Sequence, residues 1–159
     1  MITERRVVAT LRVFLAGLFA LLVLFQVMSL PGQFAHMARE NPESAYLRWP
    51  LTALTIFWVV CVQIVVIATW KLLTLVRRDR IFSGAAFVWV DAIVRAIVAA
   101  GVSLGVVFLV VGFRADDPGP VLLLFLLCMI VGVAALLMMV MRALLRKATD
   151  LRADLEGVI

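Results

Sequence analysis

Four runs of about 20 predominantly apolar residues constrain this chain more than any other feature. They lie at about residues 10–30, 50–70, 93–113 and 121–141. A membrane-spanning α-helix needs roughly 20 such residues to cross the hydrocarbon core. The composition agrees, because 65% of the residues are hydrophobic and only 16% are charged, far from the balance of a soluble domain. The sequence therefore predicts an all-α polytopic membrane protein, with four transmembrane helices in a single domain over residues 1–159.

The positions of lysine and arginine predict the orientation. Of the 15, eleven lie before or at the start of the first span, between the second and third, or after the fourth; Arg39, Arg48 and Arg114 lie in the other two connections, and Arg95 lies near the start of the third span. Cytoplasmic segments are enriched in these residues, so both termini are expected in the cytoplasm, where anionic lipid is a generic partner. The first run has the basic start of a signal peptide but lacks a small-residue cleavage site, and we expect it to stay as a span.

Residue types that carry chemistry are sparse. Cys61 and Cys128 lie inside apolar runs without metal-type neighbours, and we interpret them as packed free thiols. The segment GVSLG, Gly101–Gly105, matches the G-x-S-x-G motif of hydrolases. That motif needs a strand, a turn and a helix with a histidine, and His36 lies far away between the first two spans. We therefore expect no enzyme activity, no metal and no cofactor. Membrane topology accounts for the net charge of +5, so nucleic-acid binding is not expected.

The same small residues predict a helix-packing surface. Gly101 and Gly105 are four positions apart, and Ser103 lies between them. Small side chains allow close approach of helices in lipid, either within the chain or between copies in a homo-oligomer.

Two glutamines, Gln26 and Gln63, are polar residues inside the first two spans. Counted from Val13 and Trp70, Gln26 lies about 20 Å deep and Gln63 about 10 Å deep at the helical rise. We expect them not to meet, and each to bond to its own surroundings.

Asp91 and Arg95 precede a charge-free stretch of 18 residues, Ala96–Phe113. That stretch spans about 27 Å as a helix and nearly crosses the bilayer unaided. We therefore place both charges at the cytoplasmic interface as an ion pair four residues apart. The third helix is then expected to begin in the cytoplasm, with Ser83 in position to cap it.

The C-terminal residues carry a heptad stripe of apolar side chains. Its members are Leu144, Ala148, Leu151, Leu155 and Val158. It predicts that the fourth helix continues into the cytoplasm as a helical tail over residues 142–159. Two heptads are marginally stable alone, so the stripe needs a surface to pack on. The chain's own Lys71–Ser83 connection, a second copy and a cytoplasmic protein remain open as that surface. Arg77, Arg78 and Arg80 of the connection are candidate docking residues.

Two segments carry a resemblance to a known family. They are LLTLVRRDRIFS, Leu72–Ser83, and LRADLEGVI, Leu151–Ile159. In these the chain resembles a bacterial family of small four-span integral membrane proteins catalogued as a domain of unknown function. The resemblance implies a bacterial inner-membrane protein. Some relatives are encoded beside small helix-turn-helix regulators, which implies a regulatory role.

The function favoured by these features is a non-enzymatic regulatory or accessory subunit that docks a protein partner through its cytoplasmic connection and tail. The alternative is an oligomeric small-solute transporter or channel. Transport usually requires ionisable groups deep in the membrane, and only Asp91 and Arg95 are candidates.

Overall fold

The computed structural model describes residues 2–158, and for Ile2, Ser44 and Leu47 it describes the backbone alone. Every element within these residues is helical, which confirms the all-α prediction. The elements in order are α1 (Ile2–Leu24), a π-helical segment (Phe25–Ser29), α2 (Leu30–Glu40), a 3₁₀ segment (Pro42–Leu47), α3 (Arg48–Arg77), α4 (Gly84–Gly112) and α5 (Pro118–Val158).

Four of the helical stretches are long and apolar enough to cross a membrane, as the sequence predicts. They are Thr3–Glu40, Arg48–Arg77, Gly84–Gly112 and Pro118–Val158. The chain divides into two compact units, one up to Trp70 and the other from Lys71. The single domain over residues 1–159 remains a prediction.

In the first unit, the first helical stretch does not end at Leu30 as its sequence suggests. Pro31 and Gly32 stand at the start of α2, and the helix continues to Glu40. The reason lies in the wider π turn before it, in which the backbone N–H of Leu30 bonds to the carbonyl of Phe25, five residues earlier. A wider turn relieves the clash that a proline ring makes with the preceding turn of an α-helix. Most of the connection between the first two apolar runs is consequently helical.

In the second unit, α4 and α5 run antiparallel and pack along their length. The rings of Phe108 and Phe125 lie 5.9 Å apart between centroids. Gly101 faces Val131, and further along the pair Asp91 contacts Arg142. From one of these three contacts to the next, the number of residues toward the start of α4 equals, within one, the number of residues toward the end of α5. The two helices therefore keep one register across the membrane-spanning length.

Helix α5 is a single element of 41 residues. At 1.5 Å per residue it is about 60 Å long, twice the thickness of a hydrocarbon core. The predicted continuation of the fourth helix into a helical tail is confirmed up to Val158.

Candidate functional site

The segment that joins α3 to α4 has a defined end to α3. The backbone N–H of Arg80 bonds to the Leu75 carbonyl at 2.9 Å, and that of Asp79 bonds to the Val76 carbonyl at 3.2 Å. Asp79 has a φ of 52°, in the left-handed region. These are the two bonds and the backbone conformation of a Schellman motif, with aspartate where glycine is usual. The turn fixes the direction in which the chain leaves α3.

Ser83 occupies the N-cap position of α4 with an extended backbone, as expected. Its side chain does not cap the helix. The Ser83 hydroxyl instead donates to the Arg80 carbonyl at 2.6 Å, and the Ser83 carbonyl accepts from the N–H of Ala86 at 3.1 Å. The hydroxyl therefore stabilises the turn before α4 rather than the first turn of the helix.

The tail contacts this connection through Arg152. Its guanidinium carbon lies 5.0 Å from the centroid of the Phe82 ring, and its Nε lies 3.4 Å from Glu156 Oε1. An open cleft of about 230 Å³ lies here, and its lining includes Asp79, Arg80 and Thr149. The chain's own connection is thus one surface that the tail contacts. The contacting face is that of Thr149, Arg152 and Glu156, to one side of the heptad stripe.

Most of the apolar side chains of the heptad stripe are exposed. Ala148 is half-buried, whereas Leu151, Leu155 and Val158 are 64%, 69% and 84% exposed. Leu144 is also more than half exposed. All residues from 150 to 158 are exposed, so an amphipathic helix leaves its apolar stripe open along two turns or more.

The predicted basic docking residues are exposed as well. Arg77 ends α3, Arg78 follows it in the turn, and Arg80 follows the left-handed Asp79. Among the ion pairs of residues 2–158, none involves these three arginines. Three uncompensated positive charges therefore stand together at this end of the unit.

Asp91 has a different partner from the one predicted. Arg142 Nε lies 2.6 Å from Asp91 Oδ1, and Arg142 Nη2 donates to Oδ2 at 3.3 Å. Arg95 is exposed and forms no ion pair with Asp91 within residues 2–158. The prediction of an Asp91–Arg95 pair is therefore wrong in its partner. The physical reason is the register of α4 against α5, which brings the Arg142 guanidinium within reach of both oxygens of the Asp91 carboxylate.

The candidate packing residues of α4 separate into two kinds. A Cβ added at Gly101 would lie 3.2 Å from Val131 Cγ1, whereas one added at Gly105 would meet nothing within 4 Å. The Ser103 hydroxyl donates to the Ala100 carbonyl at 2.8 Å. Within the unit, close approach to α5 therefore depends on Gly101. Packing between copies through Gly105 stays a prediction.

In the first unit, the expectation that the two membrane glutamines miss each other is wrong. Gln63 Nε2 donates to Gln26 Oε1 at 3.0 Å, and both side chains are half-buried. A depth counted at 1.5 Å per residue holds only where both spans are straight α-helices. Gln26 lies in the π-helical segment, and two glutamine side chains add several ångströms of reach. Within residues 2–158, no group of three His, Cys, Asp or Glu side chains could hold a metal ion.

Comparison with known families identifies the chain. A family model described as "Protein of unknown function (DUF2975)" matches residues 32–159, which include α3, α4 and α5. The chain belongs to this family. Both resembling segments, Leu72–Ser83 and Leu151–Ile159, lie within the DUF2975 match. No curated protein and no solved structure matches the chain.

One residue of the ion pair in this DUF2975 protein, Arg142, is not predicted from the sequence. Arg142 was counted only as a basic residue of the tail, although it is the first charge after the fourth apolar run. The sequence does hold a signal for this pair. Asp91 and Arg142 both lie just outside the charge-free stretches of adjacent antiparallel spans, and so at a similar depth in the membrane.

Proposed function

We propose that this DUF2975 protein is a non-enzymatic regulatory or accessory membrane subunit that docks a protein partner through the tail of α5. The observation that carries the proposal is the uncovered heptad stripe. Leu151, Leu155 and Val158 project from a helix that continues past the fourth apolar run. Apolar side chains in water are unfavourable, and a two-heptad helix gains most of its stability from packing. A partner helix supplies that packing.

The charges near the tail define the chemistry of the partner. Arg77, Arg78 and Arg80 are exposed and lack acidic partners in the described residues. Lys147, beside the stripe, is exposed too. The best complement is an amphipathic helix with an apolar stripe flanked by acidic side chains, because complementary charges favour the correct encounter.

A second copy of the chain fits this stripe poorly. In a parallel coiled coil of two copies, Leu144, Leu151 and Val158 would occupy the same heptad position in the core. Lys147 of one copy would then lie opposite Arg152 of the other, at the positions that flank the core. Like charges at these flanking positions disfavour pairing. The proposal therefore favours a different protein as partner.

The placement of this surface in the cytoplasm is part of the proposal. It is supported by the eleven basic residues on the side of both termini against three on the other. In a variant without Cys61 and Cys128, a cysteine introduced at Val158 should react with a membrane-impermeant thiol reagent in inside-out vesicles and not in intact cells. A cysteine at Ala115, in the α4–α5 connection, should show the opposite pattern. Labelling of Val158→Cys in intact cells would contradict the orientation.

Affinity purification in mild detergent tests the docking. The change Leu151→Asp with Leu155→Asp disrupts the stripe and should abolish a stoichiometric partner protein. The control Asp150→Ala with Asp154→Ala alters exposed residues off the stripe and should retain it. Equal recovery of the partner with both double variants would refute docking through the stripe.

The alternative function, an oligomeric small-solute transporter or channel, has one observation in its favour. The Gln26–Gln63 hydrogen bond places two polar side chains inside the apolar part of the first unit, beside a π-helical segment. Such segments occur often at functional sites. Solute flux into proteoliposomes that is lost on Gln26→Leu would support this alternative.

A further inference from the structure

A basic groove lies on α5 where its apolar run ends. It has a volume of about 290 Å³. Its lining comprises Met139, Arg142, Ala143, Arg146, Lys147 and Asp150. The groove is open and is formed by side chains of one helix. Three cations and one carboxylate give it a net positive charge.

The charges of the groove are not equally engaged. Arg142 uses Nε and Nη2 to hold Asp91, so its charge is largely compensated. Arg146 and Lys147 are exposed and take part in none of the ion pairs within residues 2–158. Asp150 is one turn away from both and is likewise without an ion pair among those residues. The groove therefore offers two available cations next to one that is held in place.

The position of these cations along α5 matches one layer of a membrane. The 21 apolar residues from Val121 to Met141 span about 31 Å, the thickness of a hydrocarbon core. Arg142 is the first charge after that stretch, and Lys147 lies about 7.5 Å further along the axis. A headgroup layer is about 5–8 Å thick, by the difference between the whole bilayer and its core. Arg142 to Lys147 thus lies at headgroup depth.

We infer that this groove binds the phosphate of an anionic phospholipid headgroup. Arg146 and Lys147 would bind the phosphate, while the Asp91-held Arg142 forms the rigid side of the groove. Met139 continues the lining into the apolar run, where the start of an acyl chain would contact it, and Ala143 adds apolar surface between Met139 and the cations. The apolar end favours a lipid over a soluble phosphate, which gains nothing from those side chains. Clusters of lysine and arginine directly after a membrane-spanning helix attract anionic lipid headgroups.

Native mass spectrometry of the full chain, titrated with phosphatidylglycerol or phosphatidylcholine, tests the site. The wild type should prefer phosphatidylglycerol, and Arg146→Gln with Lys147→Gln should lower its affinity about thirtyfold, as expected for two neutralised charges at a membrane surface. The control Arg77→Gln with Arg78→Gln removes the same charge elsewhere and should change the affinity by less than about twofold.

Two further arms separate the outcomes. The exchange Arg146→Lys with Lys147→Arg keeps both charges and should keep phosphatidylglycerol bound, which guards against a loss caused by misfolding. Inorganic phosphate at millimolar concentration should not displace the lipid. Equal losses in both neutralised variants would show charge attraction without a site, and displacement by inorganic phosphate would show a soluble-anion site. Either result overturns the inference. These measurements follow lipid binding to the purified chain with no partner protein present, so failure here is independent of partner docking.

Discussion

Asp91 of α4 and Arg142 of α5 join the two helices through a two-point ion pair, with Arg142 Nε 2.6 Å from Asp91 Oδ1. The pair lies in the first third of α4, and buried Ala86 and Val90 lie between it and the start of that helix. Its side chains are partly exposed, 28% for Asp91 and 43% for Arg142. Both charges therefore keep part of their contact with solvent, while the ion pair fixes the register of α4 against α5.

Removal of either partner should destabilise the protein. For Asp91→Asn or Arg142→Gln we expect a loss of about 1 kcal/mol in the free energy of unfolding, because the bond is charge-assisted but partly exposed. Thermal or denaturant unfolding in detergent measures it, and the double variant should show a coupling energy of similar size. Arg95→Gln is the control and should cost less than about 0.5 kcal/mol. A larger loss from Arg95→Gln than from Arg142→Gln would contradict the assigned partner.

The Gln26–Gln63 hydrogen bond predicts a characteristic pattern of stability. Each single change to leucine should cost about 0.6–1 kcal/mol, the usual range for a polar contact between membrane helices. The double change should cost less than the sum, since no unpaired polar group remains. Gln33→Leu is the control, because Gln33 bonds to Ser29 in its own turn at 3.0 Å and should show no coupling to Gln63→Leu. Additive losses for Gln26 and Gln63 would mean that the two side chains do not pair.

The two glycines of α4 should respond differently to alanine. Gly105→Ala adds a methyl group in open space and should raise the free energy of unfolding by up to about 1 kcal/mol through helix propensity. Gly101→Ala places its methyl 3.2 Å from Val131 and should lose that gain through overpacking. Melting temperatures in detergent compare them. A Gly101→Ala variant as stable as Gly105→Ala would show that α5 does not need the close approach at Gly101.

The left-handed backbone of Asp79 predicts a stabilising substitution. Asp79→Gly should raise the free energy of unfolding by about 0.5 kcal/mol, because glycine adopts a φ near 52° without the steric cost of a Cβ. Arg78→Gly is the control one residue earlier, where φ is not positive, and should lower stability by up to about 1 kcal/mol. Chemical denaturation in detergent distinguishes them. If both glycine variants are destabilised alike, the turn after α3 does not have this conformation.

The sequence predicts the helices well because apolar length is a local property. The number of spans, the start of α4 after Ser83 and the continuous tail all follow from runs of side chains along the chain. The end of the first helix does not, since Pro31 is accommodated by a π turn that has no distinct sequence signal.

The pairs within the candidate site depend on distance across helices, which one sequence does not record. Asp91 has two basic residues at suitable depth, Arg95 on its own helix and Arg142 on the next. Only the register of α4 against α5 decides between them. Gln26 and Gln63 were misjudged for a related reason, because depth along straight axes ignores both a wider helical turn and the reach of the side chains.

The central claim is that the stripe at the end of α5 contacts another protein. A photo-crosslinking amino acid placed at Leu155, 69% exposed on the stripe, tests this in living cells. We predict one dominant crosslinked product of the chain with a different protein, and much weaker crosslinking from the same group at Asp154, its neighbour off the stripe. Crosslinking from Leu155 only to lipid or to a second copy of the chain, or equal crosslinking from both positions, would contradict the claim.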